Sequence, residues 1–205
     1  MLIDFNYIVE KYILDIKGII HIGGHLAEEY EFYKNKGIKN VIWLEANPFI
    51  FQRLKDIAID NLCFNYLVSD TDDNIVDFYL TNNGQSSSML EMDKHKEYHP
   101  SVYVCETIQL KPVKLDSLIK REKINISNYN FLNLDIQGAE LMALKGILNN
   151  LKHIDYIYTE VNTGEVYKGC SKLEDLDSFL LDKGFKRVEL TMTPYEWGDA
   201  FYIKK

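Results

Sequence analysis

The sequence has few cysteines, few arginines and no long apolar run. Its three cysteines, Cys63, Cys105 and Cys170, are widely spaced and form no Cys-x-x-Cys pair. That excludes a disulfide framework and a structural zinc site, and points to free thiols in a reducing, cytoplasmic compartment. No stretch approaches the ~18 apolar residues of a membrane span. The segment from Met1 to Val9 has no basic region ahead of an apolar one, so it does not read as a secretory leader. Arginine occurs only at 53, 121 and 187, and 31 acidic residues outnumber 23 basic ones, for a formal net charge of −8. A general nucleic-acid binder needs a basic footprint to neutralise phosphates, and this chain has none. Internal repeats and low-complexity linkers are also absent.

What is present is a globular composition, with 46% hydrophobic residues in 205. That length reads as one domain over 1–205 with room for a large core. Short apolar runs alternate with helical patterns. The runs are 18–22, 40–45, 61–68, 129–135 and 154–160; the helical patterns are 27–36, 48–57, 138–148 and 173–181. Alternation of this kind predicts a mostly parallel sheet with helices on both faces. Two final runs, 185–192 and 200–203, read as an antiparallel hairpin. Residues 1–16 read as an appended N-terminal helix. Its stripe of Phe5, Ile8, Val9, Tyr12 and Ile13 suits the core or a homodimer contact. Residues 71–114 break the rhythm, and an insertion this long in a compact domain is expected to be functional.

In an open parallel sheet, ligands bind beyond the carboxyl ends of the strands. Those ends carry Gly23-Gly24-His25, Glu45-Ala46-Asn47, Ser69-Asp70, Asp135 and Glu160-Val161-Asn162. The glycines permit close backbone approach. The dinucleotide fingerprint fails, because His25 and Glu28 stand where it needs glycines. Glu45 follows Gly23 by 22 positions, the spacing of an acid that hydrogen-bonds ribose hydroxyls, in a dinucleotide or another nucleoside-bearing cofactor. It equally suits the dipole of the following helix. Asp70 is placed to accept from an adenine amino group or to form a turn. Asp135 ends the central strand, where a carboxylate can take a proton from a hydroxyl. Glu140 has an ordinary role in a first helical turn.

The ordered blocks Ile-His-Ile-Gly-Gly-His, Leu-Glu-Ala-Asn-Pro, Val-Ser-Asp, Asn-Asn-Gly-Gln-Ser-Ser-Ser, Leu-Asp-Ser-Leu and Leu-Asp-Ile-Gln-Gly-Ala-Glu-Leu-Met-Ala-Leu-Lys-Gly resemble the FkbM family of S-adenosylmethionine-dependent methyltransferases. The resemblance implies a class I methyltransferase fold: an α/β three-layer sandwich, Rossmann-like, with a seven-stranded, mostly parallel sheet closed by a C-terminal antiparallel hairpin. It implies S-adenosylmethionine as cofactor and S-adenosylhomocysteine as product. By the same analogy Gly23, Gly24 and His25 lie against the amino-acid half, Glu45 with Ala46 and Asn47 holds the ribose, and Ser69-Asp70 lies near adenine. Asp135 faces the methionine moiety or the transfer site. Family members typically O-methylate small molecules or sugars, on glycans or nucleotide-activated sugars. The chain departs from the family pattern at His21, where an acid is usual, and at Asn133 and Gln137, which replace Lys and Glu.

The reaction expected is therefore O-methylation of a sugar, sugar nucleotide or glycan, with Asp135 as first choice of base and His25 as second. His95 and His99 are further candidates from the insertion. Gln85, Ser86, Ser87, Glu160 and Asn162 are expected to hold the acceptor. Tyr98, Tyr103, Tyr167, Tyr195 and Trp197 would suit a carbohydrate surface. Asp135, Glu160 and Asn162 are oxygen donors of the hard-cation type, but their spacing does not support a metal. Two rivals share the sheet: a nicotinamide-dependent oxidoreductase, and a non-catalytic binding or assembly module, which Asn133 and Gln137 motivate.

Overall fold

The computed structural model describes all of residues 1–205. In chain order the strands are β1 (Ile19–Ile22), β2 (Val41–Leu44), β3 (Leu62–Phe64), β4 (Leu67–Val68), β5 (Val76–Thr81), β6 (Val104–Leu110), β7 (Pro112–Val113), β8 (Phe131–Leu134), β9 (Tyr156–Asn162), β10 (Phe185–Met192) and β11 (Trp197–Lys204). The helices are α1 (Phe5–Tyr12), α2 (Tyr30–Asn35), α3 (Pro48–Ile57), α4 (His95–Tyr98), α5 (Leu115–Arg121), α6 (Glu140–Lys145) and α7 (Leu173–Asp182). Seven strands form one sheet in the order β10-β11-β9-β8-β1-β2-β3. All neighbours are parallel except around β11, which runs antiparallel to both β9 and β10.

β1, β2 and β8 are buried at every residue, as expected for apolar strands covered on both faces. On one face α1, α2 and α3 contribute Phe5, Ile8, Tyr33 and Leu54 to a cluster with Trp43 and Phe131. On the other, α5, α6 and α7 contribute Leu118, Leu144, Leu176 and Leu180 to the larger core. Of the α1 stripe, Phe5 and Ile8 are buried in this cluster and Val9 and Tyr12 pack against it, whereas Ile13 is exposed. α3 is entered through Asn47, whose side chain accepts from the N–H groups of Phe49 and Ile50, with Pro48 in the first turn.

Strand register positions the site. Ile22 lies opposite both Leu44 and Leu134, so β1, β2 and β8 end level with one another. Leu134 pairs with Thr159, and Asp199 of β11 pairs with Glu160 of β9. Gly23, Glu45, Asp135, Glu160 and Asp199 therefore share one edge of the sheet.

The insertion is a folded unit. β5 and β6 form an antiparallel hairpin, and Met92 bridges to Tyr167 beyond β9. The run 61–68 is not one strand as expected. Asn65 donates its side-chain amide to the carbonyls of Glu45 and Ala46, the chain turns after β3, and β4 leaves the sheet to pair with β7. Three helices are shorter than their patterns, for backbone reasons. α1 ends at Ile13, in the left-handed region at φ +51°, α2 waits until Ala27 (φ +53°) is passed, and α6 begins only after Gly138 (φ +99°).

Candidate active site

A cavity of about 450 Å³ opens at this edge, within the range of roughly 300–1,000 Å³ typical of small-molecule sites. The turn after β1 forms one wall. Gly23 sits at φ +85°, and a Cβ there would fall 1.8 Å from the Asp135 carbonyl oxygen, so only glycine fits. His25 (φ +38°) and Ala27 are also left-handed, an accumulation of strain typical of ligand-holding turns.

Glu45 is oriented by the backbone. One oxygen accepts from the His25 N–H at 2.9 Å and the other from the Asn47 N–H at 2.7 Å. Burial pushes its carboxyl above the ordinary range, and these donors partly offset that. Each oxygen keeps a further lone pair for a hydroxyl. His25 Nδ1 lies 2.5 Å from Glu28 Oε1, which fixes the ring.

The opposite wall is a carboxylate network. The Gln137 side-chain Nε2 donates to Asp135 Oδ1 at 2.8 Å and to Glu160 Oε2 at 3.0 Å. Gln137 Oε1 accepts from the Tyr167 hydroxyl at 2.7 Å, and Ser88 donates to the Gln137 carbonyl. Asp135 is exposed and lines the cavity. Desolvation by the surrounding protein, then the Asp199 charge, push its carboxyl up, and the Gln137 hydrogen bond partly offsets them. Glu160 is raised well above its ordinary range by burial and by Asp135. Glu140 is fully buried and pushed up to about 7; its Oε1 accepts from the N–H groups of Ile136 and Gly138. Asp199 accepts from Tyr158 and from the Leu2 N–H. The insertion supplies the roof, including Phe78, Gln85, Ser86, Ser87, Met89 and His95. His95 is lowered to about 4 by burial and then by His99, so it is neutral.

The residue profile of the FkbM methyltransferase domain matches residues 21–187. The chain belongs to the FkbM family of S-adenosylmethionine-dependent methyltransferases. Among curated proteins none is similar enough to match. Solved structures share the fold at low identity. An NADB-Rossmann superfamily protein from Streptococcus agalactiae is 9% identical with a TM-score of 0.54, covering 100% of this chain and 69% of its own. The methyltransferase domain of bacterial CtHen1 is 7% identical with a TM-score of 0.51, covering 97% and 93–94% in its two structures, the second at 0.50 with 8% identity. TrmK from M. capricolum, solved with S-adenosyl-homocysteine, is 10% identical with a TM-score of 0.49, covering 100% and 70%. The sheet order and the antiparallel C-terminal pair are those of the class I methyltransferase fold.

For this FkbM chain the cavity brings together Gly23, His25, Glu45, Ala46, Gln85, Ser86, Ser87, Asp135 and Glu160 from the sequence-predicted set. Five expected residues do not line it. Gly24 is packed on Leu54 and Trp43, and Asn47 is spent capping α3. Ser69 is buried with its carbonyl against Gly146, and Asp70 is exposed, because the turn at Asn65 carries the chain away; Leu67 and Val68 line the cavity instead. Asn162 is buried at the end of β9 with its amide unpartnered, so the expected trio of Asp135, Glu160 and Asn162 does not converge on the cavity. No group of three or more His, Cys, Asp or Glu side chains is arranged to hold a metal. Sequence reasoning missed Asp199, which the β9–β11 register reveals, and the bridging role of Gln137, which only the folded network reveals.

Proposed function

We propose that this protein O-methylates a hydroxyl of a carbohydrate acceptor, with Asp135 as general base. The observation that carries the reading is Asp135 itself. It has one oxygen tied to Gln137 and no protein donor on the other, opens onto the cavity, and lies between the glycine turn and the insertion.

The residues present fit the cofactor. Glu45 offers a backbone-held carboxylate for ribose hydroxyls, and Gly23, lacking a Cβ, lets the turn after β1 pack directly on the Asp135 backbone so that both line the cavity. When bound, S-adenosylmethionine supplies a methyl group on a sulfonium, and the C–S bond breaks as the acceptor oxygen attacks, leaving a neutral thioether. Asp135 accepts the hydroxyl proton. Its raised affinity for a proton suits that task better than an ordinary carboxylate would, and such a base contributes about 10²–10⁴-fold. The insertion contributes Phe78, Met89 and Val102 to the apolar lining of the cavity. Positioning supplies much of the remainder.

The test is calorimetry with S-adenosylhomocysteine and with NAD, followed by mass spectrometry of carbohydrate acceptors incubated with S-adenosylmethionine. Binding of S-adenosylhomocysteine and a gain of one methyl are expected. Binding of NAD alone, or cofactor binding with no transfer to any acceptor, overturns the reading.

A further inference from the structure

We infer that the acceptor is an unphosphorylated carbohydrate with a basic amine adjacent to the reacting hydroxyl. The inference rests on the methyltransferase reading above and narrows it. No lysine or arginine lines the cavity, whereas six acids do: Glu28, Glu29, Glu45, Asp135, Glu160 and Asp199. Phosphates are held by Arg or Lys, or by free backbone N–H groups at helix starts. Five of the N–H groups at this edge are already taken by carboxylates. Glu140 accepts from Ile136 and Gly138, Glu28 from Leu26, and Glu45 from His25 and Asn47. A phosphate or diphosphate entering here would meet six carboxylates, with only the Met1 α-ammonium, imidazoles, amides and hydroxyls to offset them and no guanidinium or lysine ammonium.

The amine follows from the stereochemistry of Asp135 and Glu160. Each gives one oxygen to the same Gln137 nitrogen, at 2.8 and 3.0 Å. Those oxygens therefore lie no farther apart than the sum of the two distances. No protein donor reaches Asp135 Oδ2 or Glu160 Oε1. A hydroxyl has one hydrogen to donate, so it satisfies only one carboxylate; an ammonium has three. With the reacting hydroxyl on Asp135, a neighbouring ammonium reaches Glu160 and relieves its repulsion with Asp135 and Asp199. Tyr167 and Trp197 complete this wall with aromatic surface, which favours a cation over an anion. An amino group on the carbon next to the hydroxyl, as in a 2-amino sugar, presents its donors side by side, as Gln137 holds the two carboxylates.

The test measures binding of glucosamine, N-acetylglucosamine and glucosamine 6-phosphate at pH 7, by ligand-observed NMR. It is run with and without S-adenosylhomocysteine, so that failure of cofactor binding strikes the methyltransferase reading while the amine preference is still measured. Glucosamine is expected to bind at least about tenfold more tightly than its N-acetyl form, the size of one charge-assisted hydrogen bond, and the phosphate not detectably. Glu160→Gln should bring the preference for the free amine close to unity, with the fold checked by its far-UV spectrum. Equal binding of the first two sugars, tightest binding of the phosphate, no binding of any of the three, or an unchanged preference in a folded Glu160→Gln overturns the inference. If Glu160→Gln does not fold, the wild-type preference decides by itself.

Discussion

Gln137 holds Glu160 through its side-chain amide, Nε2 to Oε2 at 3.0 Å, and the same nitrogen reaches Asp135. An amide is the one uncharged side-chain group that can donate to two carboxylates and still accept from Tyr167. Gln137→Glu removes both hydrogens and adds a charge to a crowded edge. The expected result is a loss of about 1–3 kcal/mol of stability, the cost of leaving the buried Glu160 oxygen unpaired, and a fall in kcat of at least about tenfold. Thermal melts and methyl-transfer rates check both. Unchanged melting and turnover would show that the bridge is incidental.

Asp135→Asn tests the base directly. Asparagine keeps the size and accepts from Gln137, so the fold and S-adenosylhomocysteine affinity should survive. Transfer should fall by about 10²–10⁴-fold. Near wild-type turnover would remove Asp135 from the chemistry and return attention to His25.

Glu140 predicts a pH dependence of stability. Its carboxyl is pushed from an ordinary 4.5 up to about 7 by burial. The folded chain therefore binds this proton more tightly than the unfolded chain, and stability from this group falls as pH rises from about 4.5 to about 7. Glu140→Gln keeps an oxygen for the Ile136 and Gly138 N–H groups and cannot ionise. Its melting temperature relative to wild type should rise across that window. A constant difference from pH 4.5 to 7.5 would contradict the shift.

Much of the sheet was legible in the sequence because its central strands are buried on both faces and read as unbroken apolar runs, as in Ile19–Ile22 and Val41–Leu44. Gly23, Glu45 and Asp135 were legible as neighbours because parallel strands of equal length end together. Ser69 and Asp70 misled because their position depends on one side chain, Asn65, which redirects the chain through two long-range hydrogen bonds that leave no periodic signal. Gln137 looked like a departure from a family pattern. Its role depends on Glu160 and Tyr167, 23 and 30 positions away.

Gly23→Ala should be among the most damaging single substitutions. Its φ of +85° lies where an L side chain is strained by about 1–2 kcal/mol. The new Cβ also meets the Asp135 carbonyl, a backbone atom that cannot swing aside. Separation of β1 from β8 at their carboxyl ends would follow, moving Asp135 relative to Glu45. A lower melting temperature and lost S-adenosylhomocysteine binding are expected in calorimetry, and retention of both would contradict the close approach.

His21 is buried, stacked on the Trp43 ring at 4.7 Å, with Nδ1 3.2 Å from the Tyr33 hydroxyl. Burial lowers it to about 4 from an ordinary 6.5, so the folded ring is neutral at pH 7. Between those values the unfolded chain binds the extra proton, and the folded chain loses stability as pH falls, by up to roughly 3 kcal/mol at the acid end. His21→Phe keeps the stack but gives the Tyr33 hydroxyl no ring nitrogen, which costs about 1 kcal/mol at pH 7. Phenylalanine takes up no proton, so the variant escapes the acid penalty. His95 shares the same direction of shift but is present in both proteins and cancels in the comparison. Wild type should therefore be the more stable of the two at pH 7 and the less stable near pH 4. Parallel melting curves at both pH values would mean that His21 is not held neutral, and the polar contact with Tyr33 would then be its whole contribution.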